Sequence, residues 1–329
     1  MPTIRDIARQ SGYSVSTVSR VLNHQKYVSK PAQQAVEKVI KALDYVPNSL
    51  ARDLSFGQNK NIGVVLPHND HPYFNQLLNG IMDAAFTSGY HIVLLPSEYN
   101  QTVELDYLEQ LKRKNFSALI FTSHGLPLSV LAQYAQYGQI ICCEDTGDYH
   151  LSAVYSNREP AYLAAFKHLA TLKVRQIAIL LSRNLEQSPT SSAIMAAYQQ
   201  VFHHKPAEKL VIGGMTSFND GYQAAKTLHA RQSDIDCFFT NGDDIATGVR
   251  QYYLDQDLTS PLLFGQENQL SSFLLQFPTI DHHFFTVGQK AFEVALSTEH
   301  QKFSFESELI VPKWHNKLWQ NSVVNWVSS

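Results

Sequence analysis

A short stretch that begins at Ser14 carries the side chains best suited to reading another molecule. Arginine can donate two hydrogen bonds to guanine, serine can bond to several bases, and valine methyl groups can touch the methyl group of thymine. Arg20, Ser16 and Val15 are therefore candidates for reading base edges, and Thr17 adds a hydroxyl group. Ser14 and the free N–H groups at the start of a helix could hold a phosphate.

Three short helices must position that stretch. Thr3 and Asp6 have the spacing of a capping box, Gly12 can take the left-handed turn after the first helix, and Ser14 and Ser29 are N-cap candidates. Apolar residues at helical spacing give each helix an inner stripe: Ile4, Ile7 and Ala8; Val18, Val21 and Leu22; and Ala35, Val36, Val39, Ile40 and Leu43. This order is typical of a helix-turn-helix, whose second helix enters the major groove of DNA. A small bundle that docks on another protein remains an alternative.

The chain has 329 residues and a formal net charge of −3, but the charge is unevenly distributed. Residues 1–60 carry nine Lys or Arg against four Asp or Glu, a net charge of +5, which leaves −8 for the rest. A basic head on an acidic body indicates that the head meets a polyanion, although charge alone does not exclude chance clustering. The length and the 44% of hydrophobic residues predict a globular chain of about two domains, with room for a small third.

Several classes of protein lack support. Cys142, Cys143 and Cys237 show no CxxC spacing, which favours a reducing cytoplasm without structural zinc. No apolar run is long enough to span a membrane, and no signal peptide is visible, so we expect a cytoplasmic protein. The histidine pairs at 203–204 and 282–283 point to different sides, which argues against a metal site. No phosphate-binding loop, dinucleotide fingerprint or nucleophile elbow occurs, so neither a cofactor nor an enzyme activity is expected.

Residues 44–61 follow the three helices and predict a hinge. Pro47 interrupts the chain, and Asn48 can cap a new helix from residue 49 to about residue 55. A helix that short is not stable alone in water and requires a partner. Residues 56–61 are typical of a linker.

From residue 62 onward, short apolar strands alternate with amphipathic helices. The predicted strands cover residues 62–66, 91–95, 118–122, 139–143, 176–181, 235–240 and 262–265. The predicted helices cover residues 74–87, 104–114, 161–171, 190–202, 219–229 and 244–254. This alternation is typical of parallel sheets, and seven main strands fit two sheets better than one. Ligands of such sheets bind beyond the carboxyl ends of the strands.

The segments TIRDIARQSGYSVSTVSRVLN and YVPNSLARDL resemble the lactose-repressor (LacI/GalR) family of bacterial transcription regulators. The resemblance implies an all-α helix-turn-helix DNA-binding domain over residues 1–46 and a hinge helix and linker over residues 47–61. It also implies that two hinge helices pair in the minor groove, where Leu54 wedges into a base step. The DNA-binding residues indicated by pattern or resemblance are Ser14, Val15, Ser16, Thr17, Arg20, Asn23, Tyr27, Tyr45, Asn48 and Leu54.

The segments DHPYFNQLLNGIMDAAFTSGY, GDDIATG, FGQEN and TIDHHFFTVG resemble the effector domain of that family. The resemblance implies an α/β, periplasmic-binding-protein-like body over residues 62–329, built of two parallel-sheet subdomains with a cleft between them. The N-subdomain would cover about residues 62–157 and 284–311, and the C-subdomain about residues 158–283. The effector-binding candidates are Asp70, Tyr73, Phe74, Glu144, Asp244, Glu267, His282 and Phe284.

These residue types suit a sugar, because carboxylates accept hydrogen bonds from hydroxyl groups and aromatic rings stack on C–H surfaces. Each aromatic candidate could equally be ordinary core, and each acid an ordinary solvated loop residue. One departure bears on the ligand, since the arginine expected from the resemblance on the helix after strand 176–181 is replaced by Ile194. A guanidinium is a planar fork of donors suited to sugars and phosphates, so its loss points to a different effector or to a cleft that is not the main sensor.

The segments DHPYF, CEDTGD and SPT resemble the catabolite control protein B type within the family. The resemblance implies a sugar or sugar-phosphate effector and serine-phosphorylated HPr as a further candidate partner. One recognition helix in each of two half-sites requires a two-fold axis, and no tetramer-forming leucine heptad is visible, so we expect a homodimer on a palindromic operator rather than a tetramer. The predicted function is a DNA-binding repressor of carbohydrate-utilisation or catabolite-controlled genes. Two alternatives are a sugar-binding transport or chemoreceptor component and an enzyme on the same sheet scaffold.

Overall fold

The computed structural model describes residues 2–23, 25, 27–45, 59–67, 72–183, 188–231 and 234–313. The chain divides into two compact units, the head (Met1–Asn59) and the body (Lys60–Ser329). Four predictions fall outside the described residues: Asn48, the hinge helix over residues 49–55, its Leu54, and Asp70.

The head consists of helices α1 (Ile4–Ser11), α2 (Val15–Leu22) and α3 (Lys30–Ala42). Thr3 and Asp6 form the predicted capping box, in which each side chain accepts from the backbone N–H of the other. Gly12 ends α1 at a φ of 75°, and Ser14 caps α2, as the sequence predicts. The turn between α1 and α2 is therefore fixed by the left-handed Gly12 on one side and by the Ser14 cap on the other.

The head has its own apolar core. Ile7, Val18 and Val36, one from each helix, are fully buried at its centre. The predicted inner stripes of all three helices contribute to this core, although Ala35 and Val39 of α3 remain partly exposed. The core fixes which side of α2 faces outward.

The body contains two parallel sheets. Its strands are β1 (Asn61–Leu66), β2 (His91–Pro96), β3 (Ala118–Phe121), β4 (Gln139–Cys142), β5 (Ser152–Asn157), β6 (Ile177–Leu180), β7 (Val211–Ile212), β8 (Cys237–Thr240), β9 (Leu262–Phe264), β10 (Thr279–Asp281), β11 (Lys302–Glu306) and β12 (Glu308–Ile310). One sheet has the order β11-β5-β4-β3-β1-β2 and the other β7-β6-β8-β9, and every neighbouring pair is parallel. A short antiparallel pair, β10 with β12, runs beside them.

Helices cover both faces of each sheet. They are α4 (Pro72–Ala85), α5 (Gln101–Lys112), α6 (Leu128–Tyr134), α7 (Glu159–Thr171), α8 (Pro189–Phe202), α9 (Phe218–Ala230), α10 (Asp243–Asp255), α11 (Leu270–Leu275) and α12 (Phe284–Ala295). Helices α4 and α12 pack on one face of the six-stranded sheet and α5 and α6 on the other. On the four-stranded sheet, α7 and α8 cover one face and α9 and α10 the other. None of the described helices is long and apolar enough to cross a lipid bilayer.

All seven predicted strands and all six predicted helices of the body are present, and the prediction of two parallel sheets is confirmed. The sequence reading missed β5, β7, β10, β11, β12, α6, α11 and α12. The missed strands are short, or, like β5 and β11, mix polar with apolar residues. They therefore lack the continuous apolar run of a central parallel strand.

Helices α4 and α12 approach each other unusually closely. A Cβ atom added at Gly288 would lie 2.1 Å from the Leu77 carbonyl oxygen, and one at Gly80 would lie 1.9 Å from the Phe285 carbonyl oxygen. Only glycine leaves room for such an approach of two backbones. This close packing places the first turn of α4, with Tyr73, against the first residue of α12, Phe284.

Candidate functional site

One side of α2 faces away from the head core and presents the residues predicted to read bases. Val15 is 43% exposed, Ser16 and Arg20 are exposed, and Ser19 is half-buried on the same side. Val18 and Val21 hold the opposite side in the core. We call Val15, Ser16, Ser19 and Arg20 the recognition face of the head.

The other predicted DNA contacts of the head lie in different settings. The Ser14 hydroxyl lies 2.9 Å from the hydroxyl oxygens of both Ser16 and Thr17, and it accepts from the Thr17 backbone N–H at 3.2 Å. Tyr27 is almost fully exposed, whereas Tyr45 packs against the head core. Asn23, in the C-cap position of α2, is half-buried, and its side-chain amide donates to Ser19 Oγ at 3.4 Å.

The body has a cleft edge where aromatic rings meet. The Tyr73 hydroxyl donates to the Thr122 carbonyl oxygen at the end of β3 over 2.8 Å, and burial raises the pKa of Tyr73. The Tyr73 ring meets Phe284 edge-on, with centroids 4.6 Å apart, and Phe74 at 4.7 Å. Phe74 and Phe284 are both buried, so their rings also belong to the core.

His282 belongs to a fully buried hydrogen-bond network. Its Nδ1 lies 2.8 Å from Ser307 Oγ, and its Nε2 lies 3.0 Å from Gln266 Oε1, which also accepts from the Tyr162 hydroxyl at 3.2 Å. Burial and the nearby positive charge of Arg158 lower the pKa of His282 well below its usual range, so the imidazole is neutral. We call Tyr162, Gln266, His282 and Ser307 the cleft network.

The predicted acids Asp244 and Glu267 follow β8 and β9. Glu267 is only 4% exposed, which excludes an ordinary solvated position, and burial together with repulsion from Asp244 raises its pKa well above the usual range. Gln269 Nε2 donates to Glu267 Oε2 at 2.7 Å. Asp244 is half-buried, and burial raises its pKa as well.

Asp243, next to Asp244, was not singled out by the sequence and is fully buried. Its carboxylate accepts from the Gln269 backbone N–H and from Thr279 Oγ1, each at 2.7 Å. Burial raises the pKa of Asp243 to about 7, although these hydrogen bonds oppose the shift. Asp243 therefore ties α10 to the β9–β10 segment.

Glu144 lies at the end of β4 and is paired with His124, at 2.5 Å between Oε1 and Nε2. Burial alone would lower the pKa of His124, but the hydrogen bond and the charge of Glu144 outweigh burial and raise it. The negative charge of Glu144 is also felt by Tyr73, which places this pair on the same side of the cleft as the aromatic rings.

Two arginines that the sequence reading did not select lie at the cleft. The Cζ atom of Arg158, just after β5, lies 5.7 Å from the Tyr73 ring centroid and 5.2 Å from that of Phe284. The Cζ atom of Arg183, after β6, lies 5.0 Å from the ring of Tyr99, which follows β2. Arg183 follows a predicted strand, and that position could have identified it, whereas the strand before Arg158 was not predicted.

Two further features complete the cleft. Ile194, in the position expected to hold an arginine, is buried in the core of the four-stranded sheet. The side-chain carbonyl of Asn241, at the end of β8, is buried and meets no hydrogen-bond donor among the described residues. In the described part of the chain, no group of three His, Cys, Asp or Glu side chains could hold a metal ion.

The predicted effector residues thus fall into three groups. Tyr73, His282 and Phe284 come together, since the His282 and Phe284 rings lie 5.1 Å apart. Repulsion from Asp244 helps to raise the pKa of Glu267, and the positive charge of Arg158 lowers the pKa of both Glu267 and His282. Glu144 is engaged with His124 instead.

Comparisons with known proteins match both units. Residues 3–48 match the family described as bacterial regulatory proteins, lacI family, and residues 59–297 match periplasmic binding proteins and sugar binding domain of LacI family. The chain is 36% identical over 299 residues to Catabolite control protein B of Bacillus subtilis (strain 168), covering 91% of this chain and 96% of that protein.

Solved structures show the same fold. A lac repressor dimer bound to operator and the anti-inducer ONPF matches with a TM-score of 0.78 at 20% identity, over 95% of this chain and 99% of that chain. A LacI family transcriptional regulator from Lactobacillus casei with bound glucose matches with a TM-score of 0.68 at 18% identity, over 77% of this chain and 98% of that one.

Proposed function

Because the chain belongs to the lacI family of bacterial regulatory proteins, we propose that it is a homodimeric, sequence-specific repressor of carbohydrate-utilisation or catabolite-controlled genes. Residues 1–46 bind the operator, residues 47–61 form the hinge, and residues 62–329 bind the effector and dimerise. Within the body, the N-subdomain takes about residues 62–157 and 284–311, and the C-subdomain about residues 158–283. The observation that carries the proposal is the recognition face of α2.

In this proposal the recognition face enters the major groove. Arg20 reads a guanine, Ser16 bonds to a base edge, and Val15 touches a thymine methyl group. Ser14 and the start of α2 hold a phosphate. The Ser14 hydroxyl accepts from one backbone N–H group of the first turn, that of Thr17, and the other N–H groups of that turn can donate to the phosphate. Leu54 wedges into the minor groove, a prediction that rests on the resemblance of the hinge segment alone.

A two-fold symmetric dimer fits both the mechanism and the surface of the body. One recognition helix in each of two half-sites requires a palindromic operator and a two-fold axis. The short helix α11 exposes Leu270, Phe273 and Leu274 at 70%, 68% and 65%. Large apolar side chains grouped on one exposed helix are typical of an interaction surface, so we place part of the dimer interface there.

A sugar or sugar-phosphate effector binds between the two sheets. The buried Asn241 carbonyl supports this, because a buried acceptor without a donor is costly and a ligand hydroxyl would satisfy it. Contacts between described residues that join the two subdomains across the cleft include the bond from Gln76 Nε2 to the Glu267 carbonyl oxygen at 2.9 Å and the placement of Arg183 over Tyr99. An effector that favours one arrangement of these contacts shifts the population between operator-binding and released states.

The alternatives receive less support. The match of residues 3–48 to a DNA-binding family argues against a transport or chemoreceptor component, and the relatives that match the chain are regulators. A serine-phosphorylated HPr partner rests on the resemblance to the catabolite control protein type, and no residues are assigned to it.

Footprinting on the DNA upstream of the protein's own gene tests the operator proposal. Wild type should protect a palindromic site, and Arg20→Ala should weaken binding by about 1–3 kcal/mol and relax specificity at one base pair per half-site. Lys38→Ala is the matched control, since it removes an exposed charge on α3 away from the recognition face. Equal operator affinity and specificity of Arg20→Ala and wild type would refute the groove assignment.

A further inference from the structure

Arg158 contacts side chains of both subdomains of the body. It follows β5 directly, at one of the points where the chain passes from one sheet to the other. Its guanidinium lies over the rings of Tyr73 and Phe284 and donates to Thr190 Oγ1 at 3.4 Å. Cation–π contacts with aromatic rings hold a guanidinium in place without using its N–H donors.

Arg158 also acts on the cleft network. Its positive charge partly offsets the rise in Tyr162 pKa caused by burial, and it lowers the pKa of His282. A guanidinium has five N–H donors, and the bond to Thr190 leaves several for another acceptor. Among the described residues, no carboxylate lies within salt-bridge distance of Arg158.

Among the described residues, the acids near Arg158 are either disfavoured as anions or paired elsewhere. Burial raises the pKa of Glu267 well above its usual range and also raises the pKa of Asp244, which disfavours their charged forms. Glu144 is paired with His124. A half-buried cation without a paired carboxylate attracts an anion more strongly than one in water does.

The neighbouring helix shows why this position can serve a ligand. Thr190, which receives the hydrogen bond from Arg158, lies one turn before Ile194 on the same face of α8. Ile194 is buried in the core and brings no donor to the cleft. Arg158, in the connection after β5, therefore places a guanidinium beside the helix face on which Ile194 replaces the expected arginine.

We propose that Arg158 binds an anionic group of the effector, so that the cleft selects a sugar that carries a carboxylate or a phosphate ester over its neutral parent. This inference rests on the proposed function, because it names the ligand class of the proposed effector cleft. The guanidinium makes a two-pronged contact with the anion, while the contacts with the Tyr73 and Phe284 rings hold it in position.

Calorimetric titration of the full-length protein tests the inference. The ligands are glucose, glucuronate, glucose 6-phosphate, ribose, ribose 5-phosphate and inorganic phosphate. Glucuronate tests for a carboxylate, the two sugar phosphates test for a phosphate ester, and inorganic phosphate tests whether the anion binds without a sugar. Wild type should bind at least one charged sugar more tightly than its neutral parent. Arg158→Gln should lower that affinity roughly 10- to 100-fold, the range expected for a charge-assisted hydrogen bond, and remove the preference.

Two further variants keep the result interpretable. Arg158→Lys retains the charge without the fork and should keep part of the preference, even where Arg158→Gln proves unstable. Arg175→Gln, at an exposed position before β6, removes one charge from the body and should leave the preference unchanged.

Three results would overturn the inference: no charged sugar binds, the neutral parent binds as tightly, or Arg158→Gln keeps the preference. Operator binding of each variant without sugar is measured in parallel. If the wild-type protein bound no operator, the proposed function would be wrong. The sugar titrations test a different point, namely whether Arg158 binds an anionic group of the ligand.

Discussion

Replacing Gly288 with alanine should destabilise the body, although alanine is the better helix former. In an unhindered helix this change would add about 1 kcal/mol of stability. At Gly288 the new Cβ would lie 2.1 Å from the Leu77 carbonyl oxygen and 3.0 Å from the Ile81 nitrogen, whereas ordinary contacts begin at 3.4 Å. Helices α4 and α12 must therefore separate by about 1.3 Å.

The colliding atoms belong to a helix backbone and cannot rotate away, so the cost lies in the upper part of the 1–3 kcal/mol range for overpacking, or above it. After the gain in helix propensity, a net loss of about 2 kcal/mol remains, which lowers the melting temperature by roughly 4–8 °C for a body of this size. The same displacement moves Phe284 away from Tyr73 and should weaken effector binding.

Thermal unfolding followed by circular dichroism measures the effect. Thr286→Ala, an exposed position on the same helix, is the control and should gain a few tenths of a kcal/mol at most. If Gly288→Ala melts at or above the temperature of wild type, helix propensity outweighs the collision and the packing argument is wrong.

Three other changes test separate parts of the molecule. Burial raises the pKa of Asp243 to about 7 from 3.8, so the folded protein binds this proton more tightly than the unfolded chain does. The protonated carboxyl group therefore stabilises the fold at low pH, and this stabilisation is lost as the pH rises from about 4 to 7. Urea unfolding should show that this pH dependence is lost in Asp243→Asn. Arg183→Gln removes the contact with Tyr99 across the cleft, worth about 0.5–1 kcal/mol, and should weaken effector binding about two- to fivefold in calorimetry. Phe273→Glu should convert the dimer to a monomer in analytical ultracentrifugation and weaken operator binding, because it places a charge in the proposed interface.

Local chemistry explains why the head could be predicted closely. The capping box at Thr3, the left-handed Gly12 and the cap at Ser14 each involve residues no more than four apart, and each is present as predicted. The central strands of the body were equally accessible, because a strand buried on both faces is a continuous apolar run.

The cleft could be predicted only in part, because its contacts join distant parts of the chain. The bond from Tyr162 to Gln266 spans 104 positions, and that between Gln76 and Glu267 spans 191. No local pattern distinguishes Arg158 from any other arginine that precedes a helix. Glu267 looked like a loop acid in the sequence, and its burial follows only from the packing around it.

The positions of these side chains indicate how a ligand would act on the whole body. The chain enters or leaves the six-stranded sheet near Arg158, near His282 and Phe284, and near Ser307, where it runs to the four-stranded sheet or to the β10–β12 pair. Arg158 contacts Phe284, and His282 contacts Ser307, so the three crossings are joined to one another by cleft side chains. The residues proposed to bind the effector therefore lie at the connections between the sheets. A ligand that reorients Arg158 or breaks the bond between His282 and Ser307 would change the geometry of these connections directly.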